Sequence, residues 1–179
     1  METRGSSHAG RLPLVNATRA LLFDTSVPLW RCCLLAFPIA LLPSLALFAS
    51  ANVILRALVV DPDHFQAPQI HATVLDAFGA IVFSPVTETL LLAGGLRILS
   101  NFSKRKLPLA VASAVAWGCL HALFGALWFF GTVWSFFVFS YAYLTWRERG
   151  LARAFTVAAV PHLLINLSVF VAVVLRGQV

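Results

Sequence analysis

The chain has 179 residues, of which 60% are hydrophobic and 11% charged, with a formal net charge of +6. A water-soluble domain carries about 25% charged residues, so this composition excludes an ordinary soluble globule. The excess of Lys and Arg lies at the ends of apolar segments, where the positive-inside rule accounts for it, and no nucleic-acid signal accompanies it.

Residues 1–27 are of mixed character and lack the compact apolar core of a cleavable signal peptide. Within them, residues 12–23 have the pattern of a short amphipathic helix lying on a membrane surface. The apolar residues that follow come in unbroken blocks of roughly 20, the length that crosses about 30 Å of hydrocarbon. Continuous rather than alternating hydrophobicity selects helices over a barrel. The expected fold is therefore all-α, a polytopic membrane helix bundle. Its five spans fall at about 29–57, 69–99, 108–127, 128–146 and 154–175. The absence of a linker or repeat makes 28–179 one domain.

Loop charge sets the orientation. Arg4, Arg11, Arg19 and Arg31 precede or open the first span, and Asp61 and Asp63 follow it. Lys104, Arg105 and Lys106 follow the second, no charge separates the third and fourth, and Arg147, Arg149 and Arg153 follow the fourth. The alternation predicts an N-terminus in the cytoplasm and a C-terminus outside. Cys32, Cys33 and Cys119 lack metal-site spacing and are expected to be small core residues.

Ionisable groups inside a span are costly and face the bundle interior. Glu88, His121, His162 and Asn166 stand out. At 1.5 Å of rise per residue they lie roughly 15, 20, 12 and 18 Å from the cytoplasmic ends of their helices, all near one level. His162 and Asn166 are one turn apart on a shared face. His121 continues a stripe of small residues, Ala114, Gly118 and Gly125, of the kind that marks helix contact in membranes. Glu88 shares a face with Ser84 and Gly95. Ser84-Pro85 predicts a break, with Ser84 capping a new helix and Glu88 near its positive end. A buried carboxylate beside a histidine can move a proton between water and a leaving group. A second histidine and an amide can donate to a developing oxyanion. The same groups could instead be polar glue between helices or part of an ion pathway.

At these residues the sequence resembles the CAAX-prenyl-protease and bacteriocin-processing family of glutamic intramembrane proteases. Residues 84–94 read S-P-V-T-E-T-L-L-L-A-G against the family's A-P-x-x-E-E-x-x-F-R-G. Residues 117–121 read W-G-C-L-H against F-x-x-x-H, and 162–166 read H-L-L-I-N against H-x-x-x-N. The likeness covers about residues 80–170. It implies that Glu88 activates water, that His121 assists, and that His162 and Asn166 stabilise the oxyanion, with no metal and no cofactor. It implies a membrane-associated protein or peptide as substrate, such as a prenylated C-terminus, a bacteriocin leader or, as in the myxosortase-like members, a C-terminal sorting helix. The expected location is the bacterial cytoplasmic membrane. Two family positions differ: Thr89 stands for the second glutamate and Ala93 for the arginine. Arg97, one turn beyond Ala93, is expected to be an anchor at the helix end. Two other readings stay open: a metalloprotease with Glu88, His121 and His162 as ligands, and a catalytically degenerate membrane protein acting as immunity factor, scaffold or transporter subunit.

Overall fold

The structure is a computed structural model that describes residues 24–58, 61, 65 and 73–175. The expected surface helix at 12–23 and Asp63 lie outside these residues. Helix α1 spans Leu29–Ala57. Helix α2 (Val74–Phe78) continues through a π-helical turn (Gly79–Phe83) into α3 (Ser84–Leu99). Then come α4 (Lys106–Ala122), α5 (Trp128–Trp146), a 3₁₀ turn (Arg147–Arg149) and α6 (Leu151–Leu175). Among the described residues there is no strand. Three stretches, Leu29–Ala57, Val74–Leu99 and Leu151–Leu175, are long and apolar enough to cross a membrane; α4 is apolar but shorter.

Every apolar block read from the sequence is thus a helix, and the differences lie at the ends. The second block starts at Thr73, whose hydroxyl accepts from the Asp76 amide (3.1 Å) and donates to the Asp76 carboxylate (2.7 Å), a reciprocal cap. The third block ends at Ala122, so Gly125 lies in the turn beyond the helix rather than on its stripe. The last helix starts three residues early, at Leu151. Gly150, at φ 120°, makes the reversal before it in a region that L side chains rarely adopt.

Helix α5 is the centre of the bundle. It packs most extensively on α4, then on α1 and α6; α6 in turn holds α1 and α3. Small side chains make the close contacts. On α1, Cys32, Ala36, Ala40 and Ser44 recur every fourth residue and are all buried. Ser44 and Ser135 share a hydrogen bond of 2.7 Å, and Ser140 donates to Ser113 across α4 and α5 at 2.9 Å. Pro43 lacks the N–H that would bond Ile39 one turn earlier. Trp134 Nε1 donates to that carbonyl from α5 at 2.8 Å. These polar groups are thus paired across helices, as an apolar surrounding favours. The outer faces carry exposed Leu42, Val53, Leu90, Leu91, Ile98 and Phe130, large apolar side chains suited to hydrocarbon.

The basic loops meet at one end. Arg149 Nε donates to Thr25 Oγ1 (3.1 Å), and Arg147 Nη1 donates to Ser100 Oγ (2.8 Å). Lys104 Nζ donates to the Ser100 carbonyl (2.8 Å), a cation on the negative end of α3. Lys106 pairs with Glu148 at 2.9 Å and holds that carboxyl below its usual range. The segments around Thr25, residues 100–106 and Arg147–Arg149 therefore lie at one end of the bundle. Of the three cysteines, Cys32 and Cys33 are buried as expected, but Cys119 is exposed on the outer face of α4.

Ala114 and Gly118 of the expected stripe are buried. A Cβ at residue 118 would lie 2.9 Å from ring carbons of Phe129 and 3.3 Å from Cβ of Val133. Gly118→Leu is expected to destabilise the bundle by about 2 kcal/mol or more, since overpacked cores relax poorly. A Tm in detergent equal to wild type would contradict this packing.

Candidate functional site

Glu88 reaches the interior from α3, one turn beyond Ser84. The expected break at Ser84-Pro85 is not formed: Val74–Leu99 runs on as one helix. Ser84 is itself helical (φ −62°, ψ −53°), and its N–H donates to the Gly79 carbonyl, five residues back. A proline inside a helix clashes with the carbonyl four residues earlier. The wider π turn accommodates it without ending the helix. Two consequences follow. Ser84 does not cap a helix end; its hydroxyl instead donates to Glu88 Oε1. The positive end of the helix dipole lies back at Thr73, too distant to act on Glu88, because the effect fades within the first turn.

The other carboxylate oxygen faces two histidines from two other helices. Glu88 Oε2 lies 3.6 Å from His121 Nε2 and 3.8 Å from His162 Nε2. His121 Nδ1 sits 2.8 Å from the Trp117 carbonyl. A carbonyl only accepts, so Nδ1 carries a proton, and Nε2 is the nitrogen turned towards Glu88, an acceptor in the neutral ring and a donor in the imidazolium. The side chains are 20% (Glu88), 15% (His121) and 6% (His162) exposed. Glu88 and His121 thus keep part of their side chains exposed while His162 is enclosed. Glu88 Oε2 and His162 Nδ1 are buried and have no protein hydrogen-bond partner.

An aromatic wall from α4 and α5 sets the histidine planes. Phe136 lies between them, with ring centroids 5.2 Å from His121 and 5.3 Å, edge-on, from His162. Trp117 stacks on the other side of Phe136 at 4.7 Å. Phe139 stacks on His162 at 4.9 Å, and Trp128 stands 5.8 Å from His121. Trp117 is the aromatic position of the W-G-C-L-H motif, whereas Trp128, Phe136 and Phe139 were not legible as site residues. The chain has 15 Phe and 5 Trp, and nothing local separates these three from those that face outwards.

Asn166 lies one turn from His162 on α6 but does not join the carboxylate. Its Nδ2 donates to the Ala80 carbonyl in the π turn, at 2.8 Å. The structure therefore brings Glu88, His121 and His162 together and ties Asn166 to the backbone that carries Glu88. Thr89, in the family's second glutamate position, is buried in the core at 1% exposure. Ala93 packs against the core, and Arg97 is exposed in the last turn of α3, the place expected of an anchor. Among the described residues, no group of three or more His, Cys, Asp or Glu side chains is arranged to hold a metal ion. Comparison with protein-family models, with curated proteins and with solved structures gives no match. The likeness to the glutamic intramembrane proteases thus rests on the three motifs.

Proposed function

We propose that the chain is a metal-independent intramembrane endopeptidase in which Glu88 activates water against a peptide bond of a membrane-associated protein. The observation that carries this reading is the pair Glu88 Oε2 and His121 Nε2. A carboxylate oxygen and an imidazole nitrogen 3.6 Å apart can together hold a water that enters the site and move its proton. In the proposed reaction Glu88 takes a proton from this water as the oxygen adds to the scissile carbonyl. His121 holds the water through Nε2. His162, the enclosed ring, donates from Nε2 to the developing oxyanion. The tetrahedral adduct collapses, the C–N bond breaks, and Glu88 returns its proton to the leaving amine. Donation by Ser84 to Oε1 leaves Oε2 as the basic oxygen.

The five helices act as five spans with the basic end in the cytoplasm, giving N-in and C-out topology in a bacterial inner membrane. This assignment is supported by the gathering of Lys104, Lys106, Arg147 and Arg149 at one end. Substrates of this reading are chains that reach the site from the bilayer: a lipid-modified C-terminus, a leader or a C-terminal sorting helix. The test uses the full chain in proteoliposomes, mixed with membrane proteins from cells that carry Glu88→Gln and so retain uncut substrate. Cleavage by wild type that persists in EDTA, and is absent with Glu88→Gln, is the expected result. Loss of cleavage on chelation would move the reading to a metal enzyme. No cleavage by either protein would favour a degenerate relative.

A further inference from the structure

Asn166 is the residue whose place in the structure departs most from the role that the motif resemblance gives it. Its Nδ2 donates to the carbonyl of Ala80. That carbonyl has no backbone donor in either helical register. In an α-turn its partner would be the N–H of Ser84, which donates to Gly79 instead. In a π-turn its partner would be the N–H of residue 85, which is proline and has none. An unpaired carbonyl away from water is costly, and a neighbouring helix has to supply the donor. The bundle does the same at a second proline: Pro43 frees the Ile39 carbonyl, and Trp134 Nε1 takes it from α5 at 2.8 Å.

We infer that Asn166 is a positioning residue: it supplies the hydrogen bond that Pro85 denies to Ala80, and so fixes the π turn that aims Ser84 and Glu88 at the histidines. The turn adds one residue to the helical repeat just before Ser84. Its register therefore decides which way the first turn of α3, with Ser84 and Glu88, faces relative to α6. Asn166 fixes that register from α6, the helix that also carries His162. The consequence for cleavage rests on the proposed peptidase; the structural coupling does not.

A double-mutant cycle in the full-length protein tests this. Asn166→Leu keeps the volume and removes the donor. It is expected to lower the detergent Tm by about 4 °C, the effect of leaving one buried carbonyl unpaired. Pro85→Ala restores an amide at position 85 that can bond the freed carbonyl. In that background Asn166→Leu is expected to cost less than half as much. Equal losses in both backgrounds would overturn the inference. If Asn166→Leu alone yields no folded protein, recovery of folded protein on adding Pro85→Ala supports it, and continued failure overturns it. Cleavage separates positioning from direct action. Activity lost in Asn166→Leu and regained with Pro85→Ala is the positioning result. Activity that stays lost despite regained stability would mean that Asn166 acts on the substrate itself. Should Glu88→Gln leave cleavage intact, the peptidase reading fails, while the Tm cycle still decides the role of Asn166.

Discussion

Glu88→Gln is expected to lower cleavage by about 10²–10⁴-fold while leaving a folded bundle. The two side chains have the same shape, and Ser84 can donate to the Gln carbonyl oxygen as it does to Glu88 Oε1. The new amide can donate to the Nε2 lone pair of a neutral His121 ring. The Tm should therefore stay within about 2 °C of wild type, because no buried group loses its partner. The variant separates chemistry from folding in one substitution. A large fall in both activity and Tm would mean that Glu88 serves the fold.

His162→Leu is expected to split stability from activity in the opposite sense. His162 is 6% exposed, lies against Phe136 and Phe139, and has a buried Nδ1 without a protein partner. A leucine fills a similar volume and removes the unpaired atom, so the Tm should hold or rise, by a gain of about 1 kcal/mol. Cleavage should fall by about 10²-fold or more if Nε2 donates to the oxyanion. Stability kept at the expense of function is what distinguishes a site residue from polar glue. If His162 instead served to bind helices together, Leu would lower the Tm and leave any activity in the remaining folded protein unchanged. The two results are separable by thermal unfolding and cleavage measured on the same preparation.

What the sequence makes legible here, and what it hides, has a physical pattern. Helix positions are legible because a bilayer admits few alternatives: a block of apolar residues must satisfy its own backbone, so it is a helix. The shared end of the basic loops is legible for a similar reason, since charge is expelled to the rims. The convergence of Glu88, His121 and His162 could be read from depth along three helices, because rise per residue is fixed. The Ser84-Pro85 reading went astray because the same dipeptide suits a helix start and a π turn. The choice depends on Thr73 eleven residues earlier, which already caps the helix, and on Asn166 far along the chain, which satisfies the carbonyl that proline strands. Asn166 shares a face with His162 as its spacing requires. One helical turn is about 5.4 Å along the axis, however, enough to bring the amide to Ala80 rather than to Glu88. Phe136 and Phe139 were invisible for a different reason. In the run W-S-F-F-V-F on α5, side-chain direction follows from which helices surround α5, and no local rule gives that.

The most direct test of the central claim compares the N- and C-termini of membrane proteins in cells carrying wild type or Glu88→Gln at equal abundance. The account predicts a small set of new termini that are present with wild type, absent with Glu88→Gln, and located at or beside apolar or lipid-modified segments. Identical sets of termini in the two strains would contradict it, and would leave Glu88, His121 and His162 as a polar contact between helices rather than a peptidase site.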